Sequence, residues 1–187
     1  ALLTDAGGKI GIKILTNDLA SIAADFTADD VVGPFSWEPG LALDQLPNTI
    51  RGQYVSKTTT ALYKEVDYPQ VTLTSLDGIE RTRTMDFPVI ESGFHAQRIA
   101  KMELQRLQYQ GVFKATMFPT NLRAGVTEIA RWTFSPLGFS NKLFRVVKTV
   151  IQPNGLAEVW FREENAAIYA WSAEEAALVT PAAPTTY

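Results

Sequence analysis

The chain of 187 residues carries 17 basic and 20 acidic side chains, a net charge of -3 and a pI near 5.2. That balance argues against a dedicated nucleic-acid binder, which usually has a basic patch and a high pI. The absence of cysteine rules out disulfides, thiol catalysis and cysteine-ligated zinc or iron–sulfur sites. Hydrophobic content of 46% is ordinary for a globular protein with one substantial core or two small ones, and no apolar run approaches the roughly 18 residues of a membrane span.

Ala1 is not an initiating Met and no secretory pattern follows it, so the chain is expected to be a piece of something longer. After Gly7-Gly8, residues Ile10, Ile12 and Ile14 alternate with Gly11 and Lys13, which is strand periodicity. In "NDLASIAADFTADDVVG", Leu19, Ile22, Ala23 and Phe26 fit a short helix capped by Asn17 or Asp18. "PFSWEPG" predicts a turn-rich break. "NTIRGQYVS" predicts a strand from Ile50 to Val55, and residues 70–85 predict a hairpin with a type I′ turn at Asp77-Gly78.

A helix is predicted over about 94–110, with Ser92 as N-cap and Gly111 at the C′ position. Ala96, Ile99, Ala100, Leu104 and Leu107 share one stripe, with Arg98, Lys101, Gln105 and Gln108 opposite. Glu103 falls inside the apolar arc and needs a partner if that face is buried. "VFKATMF" and "VTEIARWTF" are strand-like. "KLFRVVKTVIQPNGLAEVWFREE" predicts a hairpin turning at Asn154-Gly155. From Ala173 onward the Ala/Pro/Thr-rich tail predicts a linker. The expected organisation is a β-rich α+β fold, with one or two small barrels or sandwiches and one amphipathic helix packed across the sheet: a first β-rich part at 1–92, a helix plus barrel-like part at 93–172, and a linker stub at 173–187.

Chemistry is sparse. His95 is the single histidine, so a three-histidine metal site is impossible and a hydrolytic triad would have to use it. "GGKIG" lacks the spacing and the Lys-Ser/Thr ending of a phosphate loop. The acid pairs Asp29-Asp30, Glu163-Glu164 and Glu174-Glu175 would serve a glycosidase only if the fold brought two carboxylates together. The aromatics Trp37, Trp132, Phe134, Phe139, Phe144, Trp160, Phe161 and Trp171 could form a sugar platform, but their strand setting favours core or subunit contact.

In chain order, "DFPVIESGFHAQRIAKMELQRLQYQG" and "LGFSNKLFRVVKTVIQPNGLAEVWFREENAAIYAW" resemble the hub region of tail tip attachment proteins. These are the J-type proteins of long-tailed, non-contractile phages and prophages. The resembling residues are Ala96, Gln97, Arg98, Ala100 and Leu104, then Leu137, Gly138, Asn141, Lys142, Phe144, Arg145 and Val146, and finally Asn154-Gly155, Glu163, Tyr169 and Trp171. Upstream, Asn48, Ile50, Tyr54 and Val55 match a further family segment, and "GKIGIKI" matches a recurring opening phrase. The chain departs from the pattern at Val126, where the family usually has an acid after the glycine matched by Gly125.

The resemblance implies a barrel-containing hub beneath the tail tube, joining it to the distal host-attachment apparatus. It implies a homotrimeric full-length parent, other tube or distal tail subunits as partners, and fibronectin-like modules after the linker. The location implied is the virion tail tip, with synthesis in the bacterial host cytoplasm. No catalytic, metal or cofactor-binding residue is expected. The helix is then a brace over an open seam, where five buried apolar side chains would contribute on the order of 5–10 kcal/mol before entropy. Two rival functions remain: a carbohydrate- or receptor-binding β-module, and a tail-associated cell-wall hydrolase.

Overall fold

The computed structural model describes residues 2–6, 9–14, 17–57, 63–75 and 77–171. The expected linker from Ala173 and the acid pair Glu174-Glu175 lie outside the described residues. The strands are β1 (Leu2–Ala6), β2 (Lys9–Lys13), β3 (Ile22–Thr27), β4 (Phe35–Glu38), β5 (Thr49–Arg51), β6 (Gln53–Ser56), β7 (Lys64–Asp67), β8 (Val71–Thr72) and β9 (Thr82–Thr84). The helix α1 (Gly93–Gln108) follows, then β10 (Val112–Met117), β11 (Ile129–Phe134), β12 (Phe139–Ile151) and β13 (Ala157–Glu163). The architecture is the expected β-rich α+β, with one helix packed against sheet. Its two compact units are not consecutive halves. The chain up to Gly40 joins Tyr109–Tyr169 in one unit, while Leu41–Gln108, with Ala170 and Trp171, forms the other. The contacts therefore divide at 40/41 and 108/109 rather than at 92/93.

In the first unit, six strands run in the order β3-β11-β12-β13-β10-β4, all antiparallel neighbours except the parallel pair β3–β11. Ring contacts show the shape. Phe113 on β10 and Trp132 on β11 are three strands apart in that order, yet their centroids are 4.9 Å apart. A flat sheet would separate those strands by about 14 Å. Phe35 on β4 reaches Phe134 on β11 at 5.0 Å. The sheet therefore curls around an aromatic core of Phe26, Phe113, Trp132, Phe134, Phe139, Phe144 and Phe161. It does not close as a barrel, because β3 and β4 form no ladder with each other.

Two local expectations in this unit fail. Residues 22–27 form a strand, because Ala24 and Phe26 alternate inward and pair beside Ala130 and Trp132. The same side chains satisfy a 3.6 period, but non-local pairing decides. "PFSWEPG" contains β4, since Trp37 and Phe35 pair opposite Phe113 and Ala115. The hairpin of β12 and β13 forms as expected, although its turn differs. Gly155 has φ +80°, while Asn154 is not in the left-handed region. Gly155 N–H donates to the Gln152 carbonyl at 3.0 Å. This is a three-residue loop with Pro153 leading and glycine taking the left-handed position, not a type I′ turn.

In the second unit, β5 lies between β8 and β9, antiparallel to the first and parallel to the second. Residues 71–85 are therefore not a hairpin: β8 and β9 straddle β5 instead of pairing. Asn48 directs this. Its side chain accepts from Arg81 N–H at 2.8 Å and donates to the Ile79 carbonyl at 2.7 Å, fastening the returning loop beside β5. The expected single strand 50–55 is interrupted at Gly52, where a Cβ would lie 2.0 Å from the Met85 carbonyl oxygen.

Helix α1 covers this sheet. Ser92 occupies the expected cap position, its carbonyl accepting from Ala96 N–H at 3.0 Å. The buried face is Gly93, Ala96, Gln97, Ala100, Lys101 and Leu104, packed on Ile50, Tyr54, Tyr68 and Val71. The expected stripe is thus rotated: Ile99 is exposed and Leu107 only half-buried, whereas Lys101 lies inside with its ammonium 5.7 Å from the Trp171 ring centre. The lysine stem packs like an apolar side chain. Glu103 finds Arg106 one turn on, at 2.9 Å. Gly111 is not a helix cap; a Cβ there would sit 2.1 Å from the Trp37 ring.

This orientation is testable by chemical denaturation. Leu104→Asp buries a charge at a position with no exposure and should cost several kcal/mol or prevent folding. Ile99→Asp should stay within about 0.5 kcal/mol. Equal losses would contradict the rotated face.

Candidate functional site

The most concentrated chemistry in the first unit surrounds Arg145, which is 3% exposed between Phe144 and Val146 on β12. Its Nε donates to Glu164 at 2.6 Å. Nη1 donates to the Thr127 carbonyl at 2.8 Å and to Asp18 at 3.3 Å. Nη2 donates to the other Asp18 oxygen at 2.7 Å and to the Tyr169 hydroxyl at 3.4 Å. All five guanidinium N–H groups have acceptors. Lys13 adds a second cation, 3.6 Å from Asp18 and 3.2 Å from the Thr127 carbonyl. Two cations thus meet two carboxylates.

The electrostatics follow from this geometry. Burial alone would lower the Arg145 pKa, but the bonds to Asp18 and Glu164 outweigh it and hold the group above its ordinary value. The Arg145 hydrogen bond holds the Asp18 carboxyl below its ordinary 3.8, against partial desolvation. Thr127 has φ +76°, a left-handed conformation costly for a β-branched residue, on the order of 1–3 kcal/mol. Its carbonyl meets both cations, and its N–H donates to the Val146 carbonyl at 2.7 Å. The cluster is saturated. It offers a clamp, with no unengaged base or nucleophile.

Three of the remaining candidate acids are also paired. Glu163 pairs with Lys142 at 3.1 Å and Glu164 with Arg145. Asp30 accepts from Thr27 N–H and pairs with Arg123 at 2.9 Å. His95 is exposed on α1. Among the described residues no group of three or more His, Asp or Glu side chains is placed to hold a metal, and no helix is long and apolar enough to cross a membrane.

The candidate aromatics divide between core and half-buried positions. Trp132, Phe134, Phe139, Phe144 and Phe161 are core. Trp160 is flanked by Lys114 and Lys148, at 5.0 and 4.9 Å, and Trp37 is covered by Lys142 at 4.7 Å.

The residues carrying the family resemblance do not form one site. Ala96, Gln97, Ala100 and Leu104 line the buried face of α1, Arg98 points to solvent, and half-buried Trp171 lies by Lys101. In the other unit, Gly138 takes φ +70° at the turn into β12, Phe144 is core, and Arg145 centres the clamp.

Sequence reasoning missed a cleft of about 620 Å³ in the second unit, lined by Arg51, Gln53, Asp67, Gln70, Thr84 and Asp86 around Gly52. Gln53 N–H donates to Asp86 and its amide to Asp67, both at 3.0 Å. Beneath, the Tyr68 hydroxyl donates to the Met85 carbonyl at 2.8 Å, and desolvation, then the Asp86 charge, push its pKa up to about 12. The signal was the alternation about Gly52: Ile50 and Tyr54 face inward, Arg51 and Gln53 outward.

No family profile and no curated protein matches the chain. Its fold does match solved structures. One is part of the virion of a native gene transfer agent particle, with a TM-score of 0.64 and 15% identity over 80% of this chain and 33% of that one. Another is the 43 kDa tail protein of prophage MuSo2 from Shewanella oneidensis, with a TM-score of 0.57 and 14% identity over 87% of this chain and 50% of that one. A third is the tail protein from Neisseria meningitidis MC58, with a TM-score of 0.54 and 9% identity over 79% of this chain and 46% of that one. The chain spans between a third and half the length of these relatives in structure, and at such identities the likeness is one of fold.

The clamp predicts an acid response. Because the folded Asp18 pKa is depressed, its contribution is fully present above the ordinary value of 3.8 and is lost as pH falls through the lower folded value. Asp18→Asn should lower the thermal midpoint at pH 7 and flatten its fall below pH 4. An unchanged acid slope would contradict the assignment.

Proposed function

We propose that this chain is a structural domain of a phage-type tail, acting by assembly and not by catalysis. Within the tail it belongs to the hub that joins the tube to the distal host-attachment apparatus, in a virion of phage or prophage origin. The observation that carries the reading is the fold shared with virion and tail proteins across some four-fifths of the chain. The residues resembling tail tip attachment proteins support the hub position.

Surface features support an assembly role. Ile10, Ile12 and Ile14 are 85, 73 and 70% exposed in a row at β2, an apolar surface that assembly partners would cover. The edges β3 and β4 of the curled sheet have no ladder neighbour on their outer sides among the described strands. The occupied acids and the single exposed histidine weigh against the hydrolase rival. The full-length parent is a homotrimer in this reading, with head-to-tail contacts around a closed ring and other tail subunits above and below.

Light scattering on the full-length parent and immunogold labelling of assembled particles test this. A trimer, and label at the distal end of the tail, are expected. A stable dimer, or label confined to the head, would overturn the hub reading. Ile12→Asp should leave the melting of the isolated chain within about 0.5 kcal/mol of the original while blocking incorporation into tails.

A further inference from the structure

We propose that the cleft around Gly52 binds a neutral saccharide of one or two sugar units, a ligand role separate from tail assembly and independent of the hub reading.

The cleft is built on a rigid floor. The segment from β5 through Gly52 to β6 runs between two neighbours. Tyr68 N–H donates to the Gly52 carbonyl on one side, and Met85 and Phe87 N–H donate to the Arg51 and Gln53 carbonyls on the other. Ile50, Tyr54 and Tyr68 anchor this floor in the core under α1. Because side chains alternate along extended chain, Arg51 and Gln53 project from it together. Asp67 and Asp86 flank Gln53, each giving it one oxygen.

What is left over defines the ligand. The Arg51 guanidinium, the second oxygens of Asp67 and Asp86, the Gln70 amide and the Thr84 hydroxyl have no partner among the described residues. Together they present donors and acceptors within one cleft, while Pro69 adds an apolar patch. A sugar hydroxyl both donates and accepts, so a ring bearing several of them matches such a mixture. Two carboxylates against one guanidinium leave the lining net negative, which disfavours phosphate, sulfate or uronate ligands. Among the described residues no group of three or more acidic or histidine side chains is placed to hold a cation. The volume of about 620 Å³ lies within the usual range of small-molecule sites. An open polar cleft without an aromatic stacking face binds weakly, in the roughly millimolar range.

The test is a titration of the isotopically labelled chain with glucose, galactose, N-acetylglucosamine and their disaccharides, read by amide chemical shifts. At least one sugar should shift amides within 51–53, 67–70 and 84–86. Arg51→Ala and Asp67→Ala should each weaken that binding about tenfold, because each removes a charge-assisted hydrogen bond. Both side chains are exposed, so folding should be preserved, and dispersed spectra will verify it. Lys148→Ala, on β12, should leave binding unchanged. The proposal is overturned by any of four results. The first is no shift of any cleft amide up to roughly 100 mM sugar. The second is equal binding by Arg51→Ala. The third is tighter binding of phosphorylated or sulfated sugars than of neutral ones, and the fourth is a shift of the same amides by calcium alone.

Discussion

The buried guanidinium of Arg145 is the constraint around which the first unit is arranged. A charge in that position is tolerable only if every N–H is satisfied and the charge is matched. Meeting that condition draws together four separate stretches: Asp18 before β3, Thr127 before β11, Arg145 itself on β12, and Glu164 with Tyr169 after β13. The cost is visible as backbone strain at Thr127, whose carbonyl is aimed at Arg145 and Lys13. An apolar residue at 145 would need none of this. It would also lose the directional bonds that fix how β3 meets β11 in parallel, a pairing between segments more than 100 residues apart, as in Asp25 beside Arg131.

The curled sheet then supplies a dense aromatic core, and the second unit supplies a different surface. There a single helix closes a small sheet over Ile50, Tyr54 and Tyr68, and the opposite face of the segment from β5 through Gly52 to β6 carries Arg51 and Gln53 into an open polar cleft. Charge saturation and packed rings hold the first unit, while Ile10, Ile12 and Ile14 stay exposed.

Much of this was legible in the sequence because it rests on local pattern. Alternation over β12 and β13, the apolar positions of β10 and β11, and a helix expected over about 94–110 and found at Gly93–Gln108 all follow from periods of 2 and 3.6. What failed depended on distant partners. Phe26 fits a helix as well as a strand until Trp132 is known to lie 5.0 Å away. The Asp77-Gly78 turn signal is genuine, since Gly78 has φ +70°, but Asn48 diverts the returning chain to the far side of β5. The helix face was misjudged because Lys101 and Gln97 count as polar by composition and yet pack inward. Arg145 stood out only through family resemblance; nothing in "KLFRVVKTV" marks it as buried. The cleft was invisible because its lining comes from three stretches joined by non-local pairing.

The account rests most heavily on the claim that the Arg145 cluster, and not the aromatic core alone, determines the stability of the first unit. A double-mutant cycle between Arg145→Ala and Glu164→Ala, measured by denaturant unfolding at neutral pH, addresses it directly. The account predicts a coupling of about 2 kcal/mol or more, because Arg145→Ala leaves Glu164 buried without its cation and Glu164→Ala leaves the buried Nε–H without its acceptor, and the double change removes both. A coupling below about 0.5 kcal/mol would contradict it and leave the clamp an incidental surface of a sheet held by its rings.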